Sequence, residues 1–193
     1  SSPGKLAEEF IGHSGMSSYP SLLELHSTLL RYGVREIVGV TNLPHALRGH
    51  HFSYKGADYI IEYEAQAWAG TVESIMGHEL YEIIQERYET LYPGYARKPV
   101  PLICWDANKF SAALLIQARI FRTAFYETGL DIIQLHHRLQ KAYSAVAIRA
   151  RDLVDHDSCP ITTEFVIAIY ERDSTEHPKE WGSNVREVFQ VRC

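Results

Sequence analysis

Cysteine is scarce in this chain and widely scattered. Its 193 residues include 3 cysteines, Cys104, Cys159 and Cys193. With no C-x-x-C pair, they indicate neither a disulfide framework nor a structural zinc knuckle. A reducing cytoplasm is the expected setting. Long apolar runs are also missing: no stretch approaches the roughly 18 to 20 residues needed to cross a bilayer, and no charged-then-apolar leader opens the chain, so no membrane partner is expected. Positive charge is in deficit, with 19 Lys and Arg against 24 Asp and Glu and a formal charge of −5. That balance gives no general pull toward nucleic acid, and any DNA contact would have to be local. The chain opens Ser1-Ser2-Pro3 without an initiator Met and stops just after a strand-like run, so a fragment of something longer is expected.

What is present is enough apolar material for a core, 46% of residues, in a chain long enough for one domain or a domain with an appendage. Leu22, Leu25, Leu29 and Leu30 lie at helical spacing within Tyr19 to Tyr32, with Gly33 as the stop. Val34 to Val40 and Tyr59 to Tyr63 read as strands of a small sheet. Between them, Pro44 to Gly49 reads as a turn or a short helical excursion. Ala67 to Tyr88 keeps a helical apolar stripe through Val72, Ile75, Met76, Leu80, Ile83 and Ile84, and forms the central helix. The breaker-rich segment Tyr92 to Pro101 reads as an exposed loop. A helix is expected to follow Asp106, running from Ala107 to Leu115. Asp131 to Leu139 and Tyr143 to about Leu153 read as further helices, and Phe165 to Tyr170 and Val185 to Val191 as strands. The two late strands either begin a sensor-like β unit or complete the main sheet.

The central helix carries Gly77-His78-Glu79-Leu80-Tyr81-Glu82. Positions i and i+4 share a helix face, so His78 and Glu82 can point at one metal ion while Glu79, one step round, reaches water beside it. Such a site acidifies water and lets a carboxylate take its proton as a peptide carbonyl is attacked. His-Glu-x-x-Glu is weak by itself, because a helix bearing Glu79, Glu82, Glu86 and Glu89 is more often a solvated acidic face.

A second block adds specificity: Asp106-Ala107-Asn108-Lys109-Phe110-Ser111-Ala112-Ala113-Leu114-Leu115-Ile116-Gln117. Together the two blocks resemble the ImmA/IrrE metallopeptidases, whose pattern is His-Glu-x-x-His followed by Glu-Ala-Asn-x-Phe-Ala-Ala-x-Leu-Leu-Met-Pro. Leu43 to Gly49 looks like that family's lead-in and Gly129 to Leu153 like its helical module, so the likeness covers about residues 20 to 153. The resemblance implies an α+β, zincin-like domain with a small mixed sheet and a central HExxE helix. Residues 1–117 would form it, 118–155 a helical, helix-turn-helix-like module packed on it, and 156–193 a short β-rich segment. It also implies His78, Glu82 and Asp106 as metal ligands and Glu79 as catalytic base.

Two of those ligands depart from the family, Glu82 standing for His and Asp106 for Glu. One imidazole with two carboxylates is a harder donor set, so zinc, the expected cofactor, would compete with manganese, iron or magnesium. Asp106 is also one methylene shorter than Glu. Tyr81 and Tyr88 are candidates for a transition-state hydroxyl and Cys104 for a nearby thiolate, although aromatics on a helix usually pack and a free cysteine is usually buried. The pairs His50-His51 and His136-His137 make no ready bidentate site, since neighbours on a strand or helix face different ways. Arg119, Arg122, Arg138, Lys141, Arg149 and Arg151 suggest a local basic patch on a helix-turn-helix-like pair, or a pair that simply packs. By resemblance the partner is a helix-turn-helix transcriptional repressor, cleaved in a stress or mobile-element response. The competing expectation is a catalytically silent relative that binds a repressor or DNA.

Overall fold

The structure, a computed structural model, describes residues 2–43, 48–55, 58–87, 100–156, 165–171 and 184–191. It is α+β: seven helices and two small sheets among these residues. Helix α1, Pro3–Ser14, was not anticipated. It is capped by Ser2, whose hydroxyl accepts from Lys5 N–H, starts with Pro3 in the first turn, and stops at Gly15 with φ 71°. Leu6, Ala7, Phe10 and Ile11 recur at helical spacing and are buried, so the helix belongs to the core. Helix α2, Leu22–Arg31, is capped by Ser21 and ends ahead of Gly33, which adopts φ 92°.

Strands β1 (Val34–Val40) and β3 (Asp58–Glu64) pair in parallel, as the sequence places them, but the sheet has a third member. Strand β2, Gly49–Tyr54, lies antiparallel to β3 and gives the order β1-β3-β2. Its sequence, Gly-His-His-Phe-Ser-Tyr, has no β-branched run, which is why periodicity missed it. Of the turn expected from Pro44 to Gly49, residues 44–47 lie outside the described residues and Gly49 opens β2; of the loop expected from Tyr92 to Pro101, residues 92–99 lie outside them, while 100 and 101 belong to a helix instead.

Helix α3, Ala69–Arg87, packs against β3 and β2, and helix α4, Val100–Leu115, packs against α3. The block expected to start a helix at Ala107 is therefore the second half of a longer one, and Asp106 lies inside it rather than at its cap. Two glycines set how closely these elements meet. A Cβ on Gly77 would stand 2.5 Å from Ser111 Oγ, and one on Gly49 2.2 Å from Ile75 Cγ2. Absent side chains thus let α4 and β2 close on α3 from two sides.

Helices α5 (Ala118–Thr128), α6 (Ile132–Leu139) and α7 (Tyr143–His156) follow, with Asp131 capping α6 as its sequence suggests. Helix α7 packs on α4. Lys141, 2% exposed, points inward to Glu73 Oε2 at 2.7 Å and Pro20 O at 3.0 Å. Arg149 is also buried, its Nε donating to Ile116 O at 2.7 Å, and Arg138 pairs with Glu127 at 2.8 Å. Of the six basic residues of the expected patch, Lys141 and Arg149 are thus buried and Arg138 is paired at the surface, while Arg119 and Arg122 are exposed. Strands β4 (Phe165–Glu171) and β5 (Asn184–Val191) pair with each other as a separate two-stranded sheet, rather than completing the first. No helix among the described residues is long and apolar enough to cross a membrane.

Candidate metal centre

The helical wheel of α3 organises the site. Ile75, Glu79, Glu82 and Glu86 recur at i, i+4, i+7 and i+11 and face β2, where Ile75 meets Gly49. Ser74 and His78 lie on the adjoining stripe and face α4, where Ser111 Oγ donates to Ser74 O at 2.9 Å. Glu82 sits between the stripes and touches both neighbours.

On the α4 side, His78 Nε2 lies 3.2 Å from Glu82 Oε1, and the Cys104 thiol lies 3.7 Å from the same oxygen. His78 Nδ1 donates to Asn108 Oδ1 at 2.8 Å. That bond orients the ring and leaves Nε2 for an electrophile, the arrangement of a ligating histidine with an outer acceptor. On the β2 side, His51 Nδ1 donates to Glu79 Oε2 at 2.6 Å and lies 3.7 Å from Glu82 Oε2, while its Nε2 lies 3.4 Å from Glu86 Oε1. The His51 and Glu79 side chains are 9% and 6% exposed, so this pair is nearly sealed from water.

Burial disfavours the charged imidazolium at His51, but Glu79, Glu86 and Glu82 outweigh it and raise its pKa. The same balance holds at His78, where Glu82, Glu79 and Asn108 overcome desolvation. Burial pushes Glu82 up, yet His78, His51 and the Cys104 thiol bring it below the usual carboxylate range. Burial, then Glu82 and Glu79, push the Cys104 thiol up.

Of the residues expected to meet, His78 and Glu82 do, with Cys104, while Glu79 meets Glu82 in a second group, with His51. Asp106 does not: it joins neither donor group, and Cys104 takes the place given to it. The reason is helical rotation. On α4, Cys104, Asn108 and Ser111 share the face toward α3, and Asp106, two residues beyond Cys104, is turned about 200° away. It is instead 8% exposed on another side of the helix. Tyr81, 1% exposed, packs its ring against Phe110 in the core rather than lining the site. Tyr88 lies outside the described residues. His51 is the residue the sequence reading passed over. Its neighbour His50 turns to Glu62 on the opposite face, as alternation requires, but one member of the pair suffices to build a site with α3. His136 stacks on Tyr143 at 3.8 Å, its Nδ1 bonded to Lys141 O.

The donor geometry fits a divalent ion. A tetrahedral ion with bonds of about 2.0 to 2.3 Å keeps its donors roughly 3.3 to 3.8 Å apart. The separations of 3.2 and 3.7 Å around Glu82 Oε1 match that spacing, and all three donors lie within 4.8 Å of one another. His51 and Glu79, at 2.6 Å, are instead hydrogen-bonded partners.

No protein-family model matches the sequence, and no curated protein is significantly similar to it. Among solved structures, one described as a Mycobacterium tuberculosis transcriptional regulator superposes with a TM-score of 0.68 at 15% sequence identity, over 99% of this chain and 55% of that one. The chain thus spans little more than half of that structure's length, and the likeness is one of fold.

Proposed function

We propose that this chain carries a zincin-like, metal-dependent hydrolase site, acting on a peptide bond in a protein partner. The observation that carries the reading is the convergence of His78 Nε2, Glu82 Oε1 and Cys104 Sγ from two helices, beside the buried Glu79 carboxylate. A cation bound there supplies a Lewis acid that polarises a carbonyl and acidifies water. His78, held by Asn108, and Glu82 donate from one helix, and Cys104 from the next. With a thiol in place of Asp106 the set is softer than the sequence implied, which favours zinc over manganese, iron or magnesium. The thiol must lose its proton to ligate, and the surrounding carboxylates oppose that until a cation arrives. Glu79 accepts a proton on its Oε1 side while His51 holds Oε2, fixing the carboxylate's orientation.

The substrate proposed is a helix-turn-helix transcriptional repressor, on the strength of the two sequence blocks. Metal analysis of the purified protein, with Glu79→Gln assayed for repressor cleavage, tests it. About one equivalent of zinc and a loss of turnover on the order of 10² to 10⁴ are expected. No bound metal, or equal cleavage by both proteins, sinks the reading. A second reading is favoured by the sealed His51–Glu79 hydrogen bond: a silent module that keeps the scaffold to bind a repressor without cutting it. Metal-dependent turnover excludes that reading.

A further inference from the structure

We propose that Cys104 is an oxidation site for hydroperoxides, and that its conversion to a sulfenic acid releases the cation held by His78, Glu82 and Cys104. This rests on the reading of that site just given. Three observations carry it. First, the thiol is one of three converging donors and the one contributed by α4, the other two sharing a turn of α3. Without it the site keeps two donors, fewer than the three protein ligands that hold an ion firmly. Second, the neighbouring acids cannot take its place. The one carboxylate of α4, Asp106, joins neither donor group, and Glu79 is hydrogen-bonded to His51 at 2.6 Å. Third, Cys104 is half-buried, whereas the His51 and Glu79 side chains are 9% and 6% exposed. A small oxidant therefore reaches the sulfur from solvent.

The step is a two-electron oxidation of sulfur. Cys104 ligates as a thiolate, the form that hydroperoxides oxidise. Its sulfur attacks the terminal peroxide oxygen, an S–O bond forms as the O–O bond breaks, and the hydroxide or alkoxide that leaves takes a proton from water. The peroxide is thereby reduced to water or an alcohol. The neutral sulfenic acid left on Cys104 is a poor ligand beside the soft thiolate it replaces, so zinc departs. A dithiol reverses the change, by condensing with the sulfenic acid and then reducing the mixed disulfide. Oxidant closes the hydrolase site and a dithiol with fresh zinc restores it.

The test uses the full chain loaded with zinc, carrying Cys159→Ser and Cys193→Ser so that Cys104 is the remaining thiol, and treated with hydrogen peroxide. Zinc release is followed with a chromophoric chelator, and in parallel samples the sulfenic acid on Cys104 is counted as its dimedone adduct by peptide mass spectrometry. Release in step with Cys104 oxidation, and rebinding after dithiothreitol, are expected. Cys104→Asp offers a ligand that peroxide does not attack, and is expected to keep its zinc through the same treatment. Zinc retained by the treated thiol protein, whether or not Cys104 is oxidised, overturns the inference and leaves the metal reading standing. Equal release from Cys104→Asp places the sensitivity elsewhere and also overturns it, and no zinc before treatment ends both. Should Cys104→Asp fail to fold or to bind zinc, the zinc released per Cys104 modified decides: about one for one supports the inference, and release without modification overturns it.

Discussion

His51 and Glu79, 28 positions apart in the chain, meet at 2.6 Å in a nearly sealed cleft. The contact exists because β2 lies against the carboxylate stripe of α3, and it ties together a strand and a helix whose sequences show no mutual signal. It also couples the site's stability to pH. In metal-free protein His51 and His78 both have folded-state pKa values raised above the ordinary 6.5. A raised value means stabilisation that is complete below the unfolded pKa and lost as pH climbs through the folded one. Glu82, lowered from 4.5, contributes in the opposite sense, its stabilisation present above 4.5 and lost as pH falls through its folded value. Chelator-treated protein is therefore expected to have its highest urea midpoint between about 4.5 and 6.5, declining above, and His51→Gln is expected to flatten the alkaline limb. An alkaline limb identical in the variant would show that His51 is not its source.

Asn108 would support the proposed ion through His78, whose Nδ1 donates to its side-chain oxygen at 2.8 Å. Asn108→Leu should weaken zinc affinity roughly 10- to 100-fold without altering stoichiometry at saturation, read by competition with a chromophoric chelator. Unchanged affinity would remove Asn108 from the site's support.

At Gly77 the helices approach so closely that an added methyl would meet Ser111 Oγ at 2.5 Å and Cβ at 3.0 Å. Gly77→Ala is expected to cost about 1 to 3 kcal/mol through overpacking. The same change made in a Ser111→Gly background should cost less, a coupling that a double-mutant cycle in urea resolves. Additive costs would refute the steric account.

Lys141 and Glu73 form a buried ion pair at 2.7 Å, with Lys141 also bonded to Pro20 O. Removing one partner strands a charge, so Lys141→Met should destabilise by roughly 3 to 5 kcal/mol, and Lys141→Met with Glu73→Leu by clearly less. Thermal and urea unfolding of wild type and the two variants distinguish this from loss of packing alone, which would make the double variant the worse.

Much of the architecture was legible in the chain itself. Helices α2 and α6, strands β1 and β3, the course of α3 and both late strands follow from local periodicity and capping, because apolar stripes, caps and β-branched runs are properties of neighbouring residues. Helix α1 has the same signals, Ser2-Pro3 at its start and Gly15 at its end, and could have been read from them. Strand β2 could not, since its pairing with β3 is decided by the partner and not by His-His-Phe-Ser.

The site divides along the same line. By itself the sequence determined that His78, Glu79 and Glu82 share a helix surface, because the α-helical period fixes i, i+1 and i+4 wherever that helix sits. Only the tertiary structure decided what faces them: Cys104 and Asn108 rather than Asp106, through the rotation of α4 about its axis, and His51, through the placement of an edge strand. Rotation and placement depend on contacts between distant segments, such as Gly77 with Ser111 and Gly49 with Ile75, and no local pattern encodes them.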